Sequence, residues 1–360
     1  MPKVYLLLPY RHRTGGPEAI FQLSDALLSQ GFDVDCVYFD KTQVRAIRKA
    51  IRAKQFVPGS SLDFTLRTDR FPEYEVYKAK FGSVIPDSPY SVVVIPEMIA
   101  DFASIFSHAK VLVWWLSVDF GFHSLSKHNV NYLRKPNVFH AVQSEYARHF
   151  AELMSFSPIF TLTDYTALSF VSRKEVEKNP NLVALSALDK VVVDLNKLEA
   201  LLRKEKPDIE IVRIQGMTRE QVLDTLAKST ILVDLGNLPG KDRLPREAAV
   251  LGNAVVISRV GAGANVVDFG IPSADRINPW DLEAVAKRVI QLFNSPEERE
   301  ENIRPLRAKV AGEKEDFHAE AGIALRKIAE ICRIECEGSA SGPMIPFKPK
   351  FVWEGIFKKP

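Results

Sequence analysis

Short apolar runs rich in valine, isoleucine and leucine recur along the chain, and between them the apolar residues fall at helical spacing. That alternation predicts βαβ units wound on parallel sheets, because a strand covered on both faces is continuously apolar while the helix covering it is apolar along one stripe. In the first half, strands are expected near Val4–Leu8, Val34–Phe39, Val92–Ile95, Val111–Leu116 and Val138–Val142. The helix after the first strand is well marked. Pro17 suits its first turn, Glu18 the positive end of its dipole, and Gly31 its end, with Ile20, Leu23, Leu27 and Leu28 as the buried stripe.

The pattern resumes at Leu182, with strands expected near Leu182–Leu185, Ile209–Ile214, Ile231–Leu235 and Ala254–Ser258. Helices are expected near Leu195–Leu202, Arg219–Ala227 and Pro245–Leu251, then after a cap at Asp281, and late at Phe317–Cys332. The fold class is therefore α/β, with two Rossmann-like domains. They are expected over residues 1–171 and 181–335, joined by an exposed linker, 172–180 (SRKEVEKNP), and followed by a tail, 336–360, rich in Gly, Ser, Pro, Lys and aromatics.

The 360 residues, 46% hydrophobic and 26% charged, are enough for two cores of ordinary size. Met1–Pro9 is too short to span a bilayer and runs into Arg11, His12 and Arg13, so it reads as a buried strand. Three cysteines (Cys36, Cys332, Cys336) without a paired spacing support neither a disulfide framework nor a zinc site, and point to a reducing, cytoplasmic setting. The net charge of +3 suits anionic ligands without requiring nucleic acid, for which no motif is present. The cations concentrate in one acid-free stretch, Lys41–Leu62, where Arg45, Arg48, Lys49, Arg52 and Lys54 alternate with Val44, Ile47 and Ile51 at helical spacing. Such a basic amphipathic helix suits an anionic membrane surface, with Phe347, Phe351, Trp353 and Phe357 of the tail as a second contact. The alternative is an ordinary surface helix and a tail packed across the domains.

Open parallel sheets bind ligands beyond the carboxyl ends of their strands. After the first strand, PYRHRTGG brings the amides of Gly15 and Gly16 to a helix N-terminus, a place for a hydroxyl-rich acceptor or an anion. It is neither a dinucleotide fingerprint nor a Walker A loop. In the second half the segment DLGNLPGKDRLPREAAVLGN follows a strand and opens a helix. It supplies Gly236, Asn237, Lys241 and Arg243 for phosphate, and Glu247 to accept from ribose hydroxyls. Gly261 and Gly263 form a small-residue turn one strand later, and Thr218 follows another strand, where it reads first as an ordinary helix cap and second as a hydroxyl near a nucleobase.

The run GMTREQVLDTLAKSTILVDLG, then PREAAVLGNAVVIS, then GAGAN resembles the donor domain of GT-B glycosyltransferases, and TGGPEAIFQLSDALLSQGFDVDCVYF resembles their N-terminal glycine loop, first helix and second strand. Together these cover a quarter to a third of the chain. The resemblance, especially to bacterial enzymes that build surface polysaccharides, implies two Rossmann-like domains facing across a cleft. It also implies a nucleotide-sugar donor held by the C-terminal half and a glycan or lipid-linked acceptor. Glu247 then corresponds to the second acid of an E-x7-E motif whose first acid is replaced by Pro239, with Asp242 nearby as a substitute. An inverting transfer needs a general base, for which Asp119, His12 and His123 are the candidates by loop position. No metal is expected, since Lys241 and Arg243 can stabilise a leaving diphosphate. A nucleotide-sugar 2-epimerase or a catalytically silent partner subunit would carry the same fold.

Overall fold

The computed structural model describes residues 2–125, 130–168, 176–191 and 193–339, with the side chains of 122–124 and 333–339 excepted. Residues 172–175 of the expected linker and 340–360 of the expected tail, including Phe347, Phe351, Trp353 and Phe357, lie outside the described residues. The chain forms two compact units. One comprises Met1–Gln143, Phe150–Leu162 and the described chain from Phe317; the other comprises Ser144–His149 and Thr163–Asp316.

In the first unit, β1 (Lys3–Pro9) and β2 (Val34–Phe39) are followed by a short antiparallel pair, β3 (Leu62–Asp63) with β4 (Val84–Ile85). Then come β5 (Ser91–Pro96), β6 (Lys110–Trp115), β7 (Val138–Val142) and β8 (Ile159–Thr161). The six long-range strands form one parallel sheet in the order β2-β1-β5-β6-β7-β8. Every residue of β5 and β6 is buried, which is why they read as unbroken apolar runs. The polar tips of the core find partners: Trp114 Nε1 donates to Leu162 O (2.8 Å), and Trp115 Nε1 to His140 Nδ1 (3.1 Å). His140 Nε2 then lies 2.9 Å from Leu133 O, so the ring is held neutral, and burial pushes its pKa down to about 4.

The second unit carries β9 (Leu182–Ser186), β10 (Glu210–Ile214), β11 (Ile231–Asp234), β12 (Ala254–Ser258) and β13 (Arg276–Ile277), all parallel, in the order β10-β9-β11-β12-β13. The two-residue period of a strand splits its side chains between two cores. Ile231, Val233 and Val256 join one, while Leu232, Val255 and Ile257 join the other. Caps start the helices where the sequence suggests. Thr218 and Gln221 form a capping box on Arg219–Lys228, and Asp281 accepts from Ala284 N (3.0 Å) on Leu282–Asn294.

Two helices differ from expectation. Arg243–Val250 begins two residues before Pro245, because a proline in the first turn has no intrahelical bond to lose. Pro296–Ser339 is far longer than Phe317–Cys332. Its buried stripe of Ile303, Leu306, Val310, Glu313, Phe317, Ala321, Leu325, Ile328 and Cys332 steps every three or four residues across Pro305, through acidic and basic residues that hide it in the sequence.

The basic stretch is a helix, Lys41–Arg52, capped by a box between Asp40 and Gln43 and seated through buried Ile47 and Ala50. Arg48 is part of this seat. Its guanidinium forks onto Asp101 (2.7 and 3.0 Å) and Met98 O (2.9 Å), while Arg45, Lys49 and Arg52 are exposed.

Candidate functional site

Both sheets have the doubly wound order in which the first strand is flanked by the second and the third, so connections leave opposite faces at that point and open a crevice at the carboxyl ends. In the first sheet this falls between β1 and β5, in the second between β9 and β11.

Beyond β1, residues 10–14 lead into the helix Gly15–Ser29, with Gly15 and Gly16 as its first two residues and open space beside Gly16. Arg11 takes the left-handed conformation (φ 52°). A cavity of about 400 Å³ lies here, lined by Arg11, His12, Phe21, Asp69, Arg70, Phe71 and Tyr74 among others. Tyr10 OH donates to Asp69 Oδ2 (2.9 Å), Tyr38 OH to Asp69 O (2.9 Å), and Tyr74 OH to Thr14 O (3.2 Å), fixing the covering segment to the loop. Glu18 serves more than the helix dipole. It is buried and accepts from Tyr77 OH (2.9 Å).

The end of β5 carries an acid that the sequence reading passes over. Glu97 is buried and accepts from Leu116 N (3.2 Å) beside the helix Val118–Leu125, which carries Asp119 and His123. Gly121 of that helix packs so closely that a Cβ would come within 2.7 Å of the Trp115 ring. Asp119 is half-buried, and the side chain of His123 lies outside the described residues. Burial pushes the Glu97 carboxyl up to about 8, although backbone amides pull it down. A carboxyl that binds its proton more tightly folded than unfolded makes the fold lose stability as pH rises from about 4.5 to about 8. His140 has the opposite sign, and most of its change lies below its ordinary value of 6.5. Urea denaturation at pH 6.5 and 8.0 should therefore show a loss of about 1 kcal/mol, since the slope of roughly 1.4 kcal/mol per pH unit halves as the pH reaches the Glu97 value, and Glu97→Gln should remove it. An unchanged slope in Glu97→Gln would assign the loss elsewhere.

In the second sheet the loops after β9 and β11 are tied by a lysine. Lys190 Nζ bonds Asp234 Oδ2 (2.9 Å) and Asp242 Oδ2, and Lys190 O accepts from Asn237 N (3.0 Å). Burial works against the ammonium, yet the two carboxylates hold its pKa above the usual range. Asp242 shows the counterpart, its carboxyl raised by burial and by Asp234 against the pull of Lys190. Asp242 is also the N-cap of Arg243–Val250, but its side chain makes no cap bond.

The glycines singled out in the sequence give their space to the chain itself. A Cβ on Gly236 would come within 2.7 Å of the Lys190 stem. On Gly261 (φ 62°) it would fall 2.1 Å from Leu238 O, and on Gly263 2.2 Å from Ser258 O. The amides of Ala262, Gly263, Ala264 and Asn265 bond backbone carbonyls of the same segment or of Leu238, rather than pointing into open space.

Glu247 is buried and accepts from Arg219 Nη2 (3.1 Å), while Arg243 and Asn237 are half-buried. Lys241 departs from the picture of a solvated cation. It is buried, 3.3 Å from Glu313 Oε1. The cation that organises this region is Arg246, fully buried. It donates to Asp164 Oδ1 and Oδ2 (3.1 and 2.9 Å), Glu313 Oε2 (3.0 Å) and Lys241 O (2.6 Å). Burial would raise the Asp164 carboxyl, but Arg246 and Lys241 outweigh it and hold the pKa below the ordinary value. Among the described residues no group of three or more His, Cys, Asp or Glu is placed to hold a metal ion.

No protein-family model matches the sequence, and no curated protein matches it. Solved structures do. Staphylococcus aureus TarM, in a complex with fondaparinux, α-GlcNAc-glycerol and UDP, has a TM-score of 0.58 at 12% identity, over 90% of this chain and 99% of that one. HepE from Anabaena, in complex with UDP, has 0.59 at 8% identity over 91% and 100%. The pneumococcal O-GlcNAc transferase GtfA, with UDP and GlcNAc, has 0.54 at 9% identity over 92% and 99%. At these identities the likeness is one of fold: the chain has the GT-B fold, two Rossmann-like α/β units.

Proposed function

We propose that this protein is a glycosyltransferase that moves a sugar from a nucleoside-diphosphate donor, UDP-linked in the first instance, to a glycan or lipid-linked acceptor in polysaccharide synthesis. The observation that carries this is the linkage of the loops after β9 and β11 by Lys190, Asp234 and Asp242 at the switch point of the donor-side sheet, directly before the helix that bears Arg243 and Glu247. A nucleotide there would meet Lys190 and Arg243 with its diphosphate and Glu247 with its ribose hydroxyls. Fold-mates crystallised with UDP favour uridine as the base. Asn237, Gly236, Gly261, Gly263 and Thr218 support this site as backbone scaffold and helix cap.

Transfer requires the acceptor hydroxyl to lose a proton as its oxygen attacks the anomeric carbon and the diphosphate departs. His12 is the better-placed base. It lines the cavity after β1 and has no hydrogen-bond partner among the described residues. Cations, not a metal, would stabilise the departing diphosphate.

A thermal-shift screen against UDP, GDP, dTDP, CDP and CMP tests the reading, since a ligand that binds the folded state raises its stability. UDP should raise the melting temperature, and Glu247→Ala should weaken UDP about tenfold or more through loss of a charge-assisted hydrogen-bond acceptor. No shift with any nucleotide would favour a silent partner subunit, the reading that Pro239 in place of the first motif acid supports.

The exposed Arg45, Lys49 and Arg52 would hold the enzyme on an anionic membrane beside lipid-linked acceptors. Among the described residues no helix is long and apolar enough to cross a membrane. Co-sedimentation with phosphatidylglycerol vesicles should be lost in the Arg45→Gln/Lys49→Gln/Arg52→Gln variant and retained with neutral substitutions elsewhere; equal binding by both would refute a membrane role for this helix.

A further inference from the structure

The cavity after β1 has a composition more selective than a general sugar site requires. Its volume, about 400 Å³, falls within the roughly 300–1,000 Å³ usual for small-molecule sites. Part of its wall is aromatic: Phe21 and Tyr74 lie 5.2 Å apart by ring centroid, and Phe71 and Tyr74 meet edge to face at 5.9 Å. The rest carries charge.

Arg70 is anchored through one nitrogen only. Its Nη1 donates to Tyr77 O (2.7 Å) and Tyr74 O (3.3 Å), which leaves Nε and Nη2 without a hydrogen-bond partner among the described residues. Two adjacent free donors on a fixed planar guanidinium match the paired oxygens of a carboxylate or phosphate. Arg11, on the same wall, is mostly exposed and stands 3.6 Å from Asp69, beyond hydrogen-bond reach, on a backbone held in the left-handed region. Asp69 is the one acid on this lining, and it already accepts from Tyr10 OH. Two arginines against one engaged carboxylate leave the cavity net positive.

We propose that the acceptor taken by this cavity is an acidic saccharide. Its anionic group, a carboxylate or a phosphate, would sit on Arg70 and Arg11, with the sugar ring against Phe71 and Tyr74. The proposal rests on the transferase reading, and its test is separable from that reading.

Isothermal titration of the full-length protein with three probes decides it: a heparosan hexasaccharide bearing uronates, the same hexasaccharide with its carboxyls reduced to alcohols, and a glycerol-phosphate oligomer. One of the two anionic probes should bind about tenfold or more tightly than the neutral one, and which of them does so identifies the anion. Arg70→Gln should abolish that preference. Arg11→Gln, at an exposed side chain that the fold does not need, should reduce it severalfold, so that a loss at Arg70 is not mistaken for collapse of its loop. The UDP-induced thermal shift should survive in both variants. Equal binding of neutral and anionic probes, binding of none, or full retention of the preference in both variants would overturn the proposal. A missing UDP shift in the unsubstituted protein would instead count against the transferase reading.

Discussion

Arg246→Met should destabilise the protein by about 3–5 kcal/mol at neutral pH, the cost of leaving buried carboxylates without their cation. The guanidinium is inaccessible to water and satisfies Asp164 through two bonds and Glu313 through one. Glu313 Oε2 also receives Thr166 N (3.1 Å) and Oγ1 (3.2 Å), so the cluster joins the segment after β8 to the helix Pro296–Ser339. Methionine keeps much of the volume and removes only the charge and donors. Asp164 and Glu313 would then be charged with Lys241 as the one remaining buried cation of the cluster.

The pH dependence gives the mechanism a signature. In the unsubstituted protein the Asp164 carboxyl is held below its ordinary value of 3.8, so its contribution is present above that pH and is lost in more acid solution. In Arg246→Met the carboxyls should bind protons more readily folded than unfolded, so that the deficit shrinks as pH falls from 8 to 5. Urea denaturation across that range measures it. A loss below about 1 kcal/mol, or one that does not vary with pH, would show that the charges are solvated or otherwise compensated.

The second large effect is expected at Lys190, where stability and ligand binding can be pulled apart. Lys190→Met should cost about 2–4 kcal/mol, because Asp234, with no exposed surface, and Asp242 would face each other without the ammonium between them. It should also abolish the UDP-induced thermal shift. Adding Asp242→Asn removes the like-charge repulsion and should restore more than half of the lost stability, a non-additivity that a double-mutant cycle reads directly. Nucleotide binding should not return if, as proposed, the lysine rather than the fold of the loop supplies the charge for a diphosphate. Recovery of the UDP shift in the double variant would reduce Lys190 to a structural strut.

The strands were legible because burial on both faces requires uninterrupted apolar runs. Val34–Phe39, Val138–Val142 and Ala254–Ser258 fall where the pattern predicts them, and the other expected strands shift by one residue at one or both ends. Caps were legible for the same local reason, since Asp281 and Thr218 bond amides only three residues on. The short strands β3, β4, β8 and β13 were not, because two or three residues carry no period.

The site was only half legible. Arg243 and Arg246 stand three residues apart in one polar segment and look equivalent, yet one is half-buried and the other sealed against Asp164 and Glu313, 82 and 67 residues away. Lys190 sits in an unremarked loop whose partners lie 44 and 52 residues further on. Glu97 gave one faint signal, an acid directly after an apolar strand.

The sequence by itself determined the two α/β halves, the positions of the main strands and the segments beyond them that carry cations and glycines, because these follow from local period and backbone chemistry. Only the tertiary structure decided which cation is buried and which glycine is filled. It also decided which acid keeps its proton, because burial and charge pairing depend on residues that the fold brings together from distant parts of the chain.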